Sequence, residues 1–464
     1  MITRIRPYLD FEKITGIVAD TAKQAIDPPH EQTPNEFESA FASWLGVSHV
    51  FAVDRGRAAL LLALKMLNIE RGDEIIVQSY IFHAVIDAIV ELGAVPVLAD
   101  SRLDDFNVDP LSIGKKMTQR TKAIIITHLG IPCDIDEIGM IARRHNCYLI
   151  ENCAHTLGSE YKGKKTGRLG DIAFFSFDVD KPLTTGDGGM IVINNDSLLE
   201  NACNVVSRYR KVPFMKEKEI VCGLLLQHFV TSEDIYPKKG FIEVNFGKEA
   251  VKNDPFLLSL VEDAAHGRTA AEFREKILPY IRRKGLLTEN KSWLNNIAER
   301  AMRRVKSVTG RLEIQKIEAR CLMMNSVRNA VGAQCMKDYD ECLSARNVNT
   351  KYYIDHLDKG AFLQPTIGDE KKASFIRYAV LNNTRHDNSR IITEARKRGL
   401  EIGIFNWGSP IHLSHPYNRL LDFDRRELPN SEYLCKRLLS LPIHPYVNGE
   451  GLERIVGFLN GLAA

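Results

Sequence analysis

Residues 151–190 read ENCAHTLGSEYKGKKTGRLGDIAFFSFDVDKPLTTGDGGM, and this stretch decides the fold. The apolar run Ile172, Ala173, Phe174, Phe175 predicts a buried strand, and Met190 to Ile193 predicts a second. Between them Lys181 precedes a Thr-Thr-Gly-Asp-Gly-Gly turn. A lysine just past a buried strand, beside glycines that admit close backbone approach, can lose its charge and attack a carbonyl. The competing reading is a solvated loop lysine. Upstream, Tyr148 to Ile150 predicts another short buried strand whose end delivers Glu151, Asn152 and His155. Ligands of α/β sheets sit at the carboxyl ends of strands, so polar groups arriving at two such ends point to one site.

Towards the N-terminus, residues 35–46 place Phe37, Phe41, Trp44 and Leu45 at helical spacing, with Gly46 able to cap the end. A strand follows at His49 to Val53. It breaks at Asp54-Arg55-Gly56-Arg57 and runs into a helix over Ala58 to Leu67. A strand, a glycine turn and a helix N-terminus form a ready anion site, and Arg57 strengthens that reading. Strands at 74–77, 96–98 and 123–127 then alternate with helices at 82–92, 110–116 and 136–144. Such alternation implies a largely parallel sheet covered on both faces by helices. Phe82 lies after a strand, next to His83, where an aromatic ring either packs in the core or stacks on a flat heterocycle.

Beyond Asn195 the βα pattern degrades. A helix is predicted over 196–210. Ile220 to Val230 is apolar but too short to span a bilayer. Residues 265–311 hold 12 Lys/Arg against 4 Asp/Glu, interleaved with apolar residues such as Trp293 and Leu294. That segment is either the solvated face of an insertion or a contact surface for an anionic membrane or a protein partner. Residues 312–357 read as helical, and a smaller α+β portion follows, with strands at 376–381 and 401–404 and helices at 388–398 and 450–462. The expected organisation is a large α/β domain over 1–210, a basic, mainly helical insertion over 211–311, and a linking helix with a small C-terminal domain over 312–464.

Composition narrows the function class. A net charge of +3 over 464 residues gives no case for a nucleic-acid partner. The nine cysteines show no CxxC pair and no His/Cys metal spacing, so no metal is expected and reduced thiols are. Cys153 alone lies near the proposed chemistry, as packing or as a nucleophile. The N-terminal residues show no apolar signal core, and a cytoplasmic protein is expected.

The order of these elements and the residues at their junctions resemble the DegT/DnrJ/StrS family. FESAFASWLGVSHVFAVDRGRAALLLAL is similar to that family's opening helix, strand and phosphate turn. RTKAIIITHLGIPCDIDEI resembles its "RTKAIIPVHLYGQPADMD", SFDVDKPLTTGDGG its "SFHPTKNLTTGEGG", and LLSLPIHP its closing "LSLPMHP". The resemblance implies the aspartate aminotransferase fold (pyridoxal phosphate fold type I), with a mostly parallel seven-stranded sheet in the large domain. It also implies pyridoxal 5'-phosphate as cofactor, cycling through pyridoxamine 5'-phosphate, and a homodimer. Residue by residue, it makes Lys181 the Schiff-base lysine and Ser176 a phosphate ligand, with Gly56 and Arg57 in the phosphate turn. Phe82 would stack on the pyridine ring and His155 would approach its phenolic oxygen. Asn406 and Trp407 stand where the family has a substrate-side "HY", and His412 matches a later family histidine.

The implied activity is transfer of an amino group from a donor, L-glutamate by expectation, to a keto sugar carried on a nucleotide, in amino-sugar or polysaccharide biosynthesis. Departures from the family pattern keep two alternatives open. Asn152 replaces the aspartate that pairs with the pyridinium nitrogen, so a weaker electron sink is expected unless Glu151 or His155 compensates. Asp178 replaces a histidine, and Cys321 to Asn325 replace an Asn-Tyr-Arg motif that reaches the neighbouring subunit. The alternatives are an enzyme of another reaction type, such as elimination, and a non-catalytic member acting in assembly.

Overall fold

The computed structural model describes residues 2–23, 35–232, 321–405, 409–420 and 428–463, with isolated positions between 256 and 317. In chain order, the large domain contains α1 (Phe11–Lys23), α2 (Glu36–Leu45), β1 (His49–Val53), α3 (Gly56–Met66), β2 (Glu74–Gln78), α4 (His83–Glu91) and β3 (Val95–Ala99). It continues through α5 (Pro110–Lys116), β4 (Thr121–Thr127), α6 (Ile135–Arg144), β5 (Tyr148–Asn152), β6 (Glu160–Tyr161), β7 (Lys164–Lys165), β8 (Ile172–Ser176), β9 (Gly189–Ile193), α7 (Leu199–Val206) and α8 (Phe214–Val230). The linking helices are α9 (Ser326–Lys337) and α10 (Tyr339–His356). The small domain follows as β10 (Phe362–Leu363), β11 (Lys371–Lys372), β12 (Tyr378–Asn382), α11 (Asn388–Lys397), β13 (Gly403–Ile404), α12 (Tyr417–Leu420), α13 (Pro429–Arg437), β14 (Leu438–Leu441) and α14 (Gly449–Asn460).

Seven strands form the main sheet in the order β1-β9-β8-β5-β4-β2-β3. Pairs from β8 through β3 are parallel, whereas β9 runs antiparallel to both β1 and β8. The strand interiors are apolar because both faces are covered: β2 and β9 have no exposed position. Parallel pairing brings the C-terminal ends of β2, β4, β5 and β8 to one edge of the sheet. That edge carries Gln78, Thr127, Asn152 and Ser176. The small domain has its own four-stranded sheet, β10-β12-β14-β13, and its own core around Phe362, Tyr378, Leu439 and Ile455.

Two expectations change. Residues 312–357 do not form one helix. Met323 instead runs extended, bridging to Val53 and Lys211, and the Leu322 carbonyl accepts from the Asp54 amide while its own amide donates to Asp54 Oδ1. Helix begins only at Ser326, where the Asn325 side chain accepts from the Ser326 amide, and it breaks at Asp338. The second change concerns the proposed insertion. Within 211–311, Phe214–Val230 is a core helix: Val221, Cys222, Leu224, Leu225 and Val230 are all fully buried against α1, α9 and the sheet. The remainder of that segment, including the basic stretch 265–311, lies outside the described residues, as do Asn406 and Trp407. No helix among the described residues is long and apolar enough to cross a membrane.

Helix α8 is tied to α9 by a fully buried ion pair. Glu217 accepts from Arg328 Nε at 2.8 Å and from the backbone amides of Arg328 and Asn325 at 2.8 and 3.0 Å. Arg328 Nη2 lies 2.7 Å from the same carboxylate, while Nη1 donates to the carbonyls of Asp54 and Asp187 at 2.8 and 2.9 Å. One guanidinium thereby holds two loops at the edge of the site. Removing the carboxylate with Glu217→Ala leaves a buried charge unpaired, a class of change that costs about 3–5 kcal/mol. The urea unfolding midpoint is the measurement, and a loss under about 1 kcal/mol, the worth of one ordinary hydrogen bond, would show the pair to be unimportant.

Candidate active site

Position in the site starts from β5. Its last two residues point to opposite faces, as alternation requires. Glu151 turns inward, fully buried, and its carboxylate accepts from the amides of Gly167, Leu169 and Gly170 at 2.7, 2.6 and 2.7 Å. His128 Nε2 completes the set at 3.1 Å, and His128 Nδ1 accepts from the Cys133 amide at 3.0 Å. Glu151 therefore pins the turn that feeds β8 and has no lone pair left to act on a ligand ring. His128, Glu151 and Cys153 bring donor atoms within 4.8 Å of one another, yet the His128 and Glu151 lone pairs are already engaged. Burial raises the Cys153 thiol well above its usual range, so that residue packs as a neutral thiol.

Asn152 faces the cleft, 3% exposed. Its Oδ1 accepts from the Ala154 amide at 3.1 Å, which fixes the orientation, and its Nδ2 donates to Thr127 Oγ1 at 3.0 Å. One N–H remains to offer. His155, on the following turn, is held neutral: burial drives its pKa well below the usual range, and the Lys181 charge adds to the effect.

An anion cradle forms where α3 meets β8. Arg55 occupies the N-cap position of α3 without a side-chain cap, leaving the first amides of that helix available. Gly56 is required there. A Cβ on it would lie 2.8 Å from Ser176 Cβ and 2.9 Å from Ser176 Oγ. Arg57 sits beside the start of α4, close enough to influence His83 and Asp87. Phe82, which precedes α4, is 37% exposed, a large share for an aromatic ring at a sheet edge.

Lys181 lies in the loop between β8 and β9. Phe177 and Gly188 pair through their backbones, Thr185 N and Thr184 Oγ1 donate to the Phe177 carbonyl, and Gly186 N donates to Thr184 Oγ1. The Lys181 side chain is only 10% exposed, with its Nζ 3.3 Å from Asp180 Oδ1. Asp180 is also bound by Arg377 Nη1 at 3.2 Å. Burial by itself would raise the Asp180 carboxyl, but the Lys181 and Arg377 charges reverse that, and it stays ionised far below the usual carboxylate range. Sequence reading missed this pair. Asp180 occupies the threonine position of the quoted "SFHPTK" motif, which was the available signal, whereas Arg377 comes from the other end of the chain.

Lys181, Asn152, His155, Ser176, Gly56, Arg57 and Phe82 thus come from neighbouring strand ends and helix starts of one sheet edge. His412 does not join them in the open. It is fully buried, with Nδ1 at 2.6 Å from Ser79 Oγ and Nε2 at 3.3 Å from Glu432 Oε1, and it joins the small domain to the end of β2. Asn325 is likewise spent within the chain, donating from Nδ2 to the Val212 carbonyl at 2.8 Å.

Residues 23–223 and 295–460 match the DegT/DnrJ/EryC1/StrS aminotransferase family. A GDP-perosamine synthase from Caulobacter vibrioides is 48% identical over 164 residues, 35% of this chain and 44% of that protein. A dTDP-3-amino-3,6-dideoxy-alpha-D-galactopyranose transaminase from Aneurinibacillus thermoaerophilus is 40% identical over 211 residues, 44% of this chain and 58% of the relative. The chain therefore spans about half the length of these relatives. An aminotransferase, TlmJ, from Streptoalloteichus hindustanus has a similar fold, with a TM-score of 0.69 over 100% of this chain and 99% of its own at 21% identity.

The α3 cradle makes a prediction that needs no cofactor. Gly56→Ala puts a Cβ 2.8 Å from Ser176 Cβ and forces Ser176 away from the α3 amides, so affinity for inorganic phosphate, read by calorimetry on the full-length chain, should fall at least about tenfold, equivalent to about 1.4 kcal/mol. Unchanged phosphate affinity would place the anion elsewhere.

Proposed function

The chain belongs to the DegT/DnrJ/EryC1/StrS aminotransferase family, and from that premise we propose that it uses pyridoxal 5'-phosphate to move an amino group from L-glutamate to a keto sugar carried on a nucleotide. The observation that carries this reading is Lys181, almost buried in a tightly hydrogen-bonded loop, at the same sheet edge as an uncapped helix N-terminus and an exposed aromatic ring. The residues present fit the cofactor. The free first amides of α3 beside Ser176 Oγ, brought together because Gly56 has no Cβ, suit a phosphate. Phe82 offers a wall for the ring, Asn152 an N–H for the ring nitrogen, His155 a neutral imidazole for the phenolic oxygen, and Lys181 the amine for the aldehyde.

When bound, the cofactor supplies an aldehyde that takes up the donor's amine and a ring that draws electrons from the donor's α-carbon. The chain's own groups divide the remaining work. Lys181 Nζ is the group placed to hold and return the α-proton, and Asp180, itself held by Arg377, pairs with that amine. The α3 amides and Ser176 anchor one end of the cofactor so that its reactive end stays by the lysine. Asn152 cannot supply a negative charge at the ring nitrogen, and Glu151 is fully engaged on the 167–170 turn. Asn152 would offer a ring nitrogen only an N–H, and electron withdrawal would be weaker than with a carboxylate in its place.

That same observation supports a second reading, an elimination on a sugar substrate that tolerates a weaker sink. The substrate remains a small-molecule sugar in either case, and a homodimer is the proposed assembly, to be measured by light scattering.

Spectroscopy tests the proposal directly. Full-length protein given pyridoxal phosphate should develop a visible-violet absorption that Lys181→Ala lacks, and L-glutamate should bleach it. A chain that never develops the band is not a cofactor enzyme, and a band indifferent to glutamate favours elimination. Asn152→Asp restores a carboxylate that the Ala154 amide and the Thr127 hydroxyl can both serve. It should speed bleaching by glutamate by at least about tenfold, corresponding to about 1.4 kcal/mol in the barrier. An unchanged rate would mean that the ring nitrogen does not control the step.

A further inference from the structure

The backbone brings one carboxylate to the reactive lysine. Lys181 N donates to the Asp178 carbonyl at 3.0 Å, which closes a turn over 178–181, and Pro182 restricts the backbone of the residue before it. Asp180 and Lys181 therefore leave the loop from fixed, adjacent positions. Their side chains meet in a nearly dry place: Nζ lies 3.3 Å from Asp180 Oδ1, with 10% of the lysine side chain and 17% of the aspartate side chain exposed. Among the described residues Asp180 is the one carboxylate in ion-pair contact with Nζ.

The groups around this pair are cationic or neutral. Arg377, just ahead of β12, donates from Nη1 to Asp180 Oδ2 at 3.2 Å. Arg4 and Arg6 of the N-terminal segment and Arg346 of α10 line the wall that Asp180 and Lys181 share. His155 acts on the pair and His444 lines the same wall, both as neutral rings, because burial lowers their pKa, that of His444 to about 3. An ammonium held out of water among guanidiniums is unfavourable unless a carboxylate answers it. Asp180 is that carboxylate, and it stays ionised. Its charge is divided, Oδ1 serving Lys181 and Oδ2 serving Arg377.

We propose that Asp180 is the resting counter-ion of Lys181, a positioning residue that holds the free amine as an ammonium and restrains its attack on an aldehyde, with Arg377 limiting how strongly it does so. The inference rests on the reading that Lys181 takes up the cofactor's aldehyde. In that step the ammonium gives one proton to solvent, Nζ bonds to the aldehyde carbon, and the aldehyde oxygen leaves as water with the two protons remaining on the amine. Only the neutral amine attacks, so the ion pair and the new bond compete for Nζ. Once Nζ has taken the donor's α-proton, the same carboxylate holds the ammonium in place until that proton is returned.

Cyanate separates this role from one in packing alone. It is small and modifies neutral amines: Nζ bonds to the carbon of isocyanic acid and one amine proton moves to its nitrogen, giving an uncharged urea. The full-length chain without added cofactor is treated with potassium cyanate at mildly alkaline pH. Modification of Lys181 is read by peptide mass spectrometry, with the exposed Lys359 as internal standard. Asp180→Asn should modify Lys181 at least about threefold faster than the parent, and Arg377→Met, which leaves Asp180 to the lysine, at least about threefold slower. Loosened packing would instead make both variants faster. A rate in Asp180→Asn equal to or below the parent's overturns the proposal, and so does a rate in Arg377→Met equal to or above it. If circular dichroism shows that one variant has not folded, the direction in the other decides. Absorbance with pyridoxal phosphate is read on the same parent preparation. Asp180-dependent cyanate reactivity without a Lys181-dependent band upholds the counter-ion and sinks the transaminase reading; a band with equal cyanate rates sinks the counter-ion alone.

Discussion

The buried Glu151 carboxylate is the contact on which the site depends. It saturates itself on the amides of Gly167, Leu169 and Gly170 and one imidazole, so the turn at 167–170 has a fixed position relative to β5. β8 leaves that turn in parallel register with β5, pairing Asn152 with Phe174. Two residues on, Ser176 meets the α3 turn, and the loop beyond carries Lys181. Charge-assisted hydrogen bonds from backbone amides are strong and directional, and in a dry interior nothing competes with them. The lysine's place is thus set by a carboxylate that takes no part in chemistry itself.

Negative charge is distributed unusually in this cleft. The position at the end of β5 that faces the cleft holds a neutral amide, engaged at both ends. The ionised carboxylate stands instead next to the lysine, as Asp180, bound on its far side by Arg377. Around it gather more guanidiniums than carboxylates, including Arg4 from the N-terminal segment and Arg346 from α10.

Much of the fold was legible because its signals are local. Short apolar runs ending in polar residues gave β5 and β8, and Gly-containing junctions gave the α3 turn, since a fully covered parallel strand admits few polar residues except at its ends. The break of helix before Ser326 was not legible. Nothing in Cys321 to Asn325 forbids helix; the segment is extended because it pairs with Val53 and Lys211, residues more than a hundred positions away. Nor did the apolar run Ile220 to Val230 show by itself what it packs on: α8 is buried against α1, α9 and the sheet, and its Glu217 meets Arg328 from more than a hundred positions away.

Sequence by itself determined the class of sheet and the places of Lys181, the α3 turn and Phe82 after their strands, because each rests on residues close together in the chain whose pattern the backbone must obey. Tertiary structure alone decided that Glu151 is structural, that His412 is a buried link, and that Asp180 and Arg377 meet beside Lys181. Those outcomes depend on which partner reaches a polar group first when water is excluded, and that is a property of the packed chain, not of any segment of it.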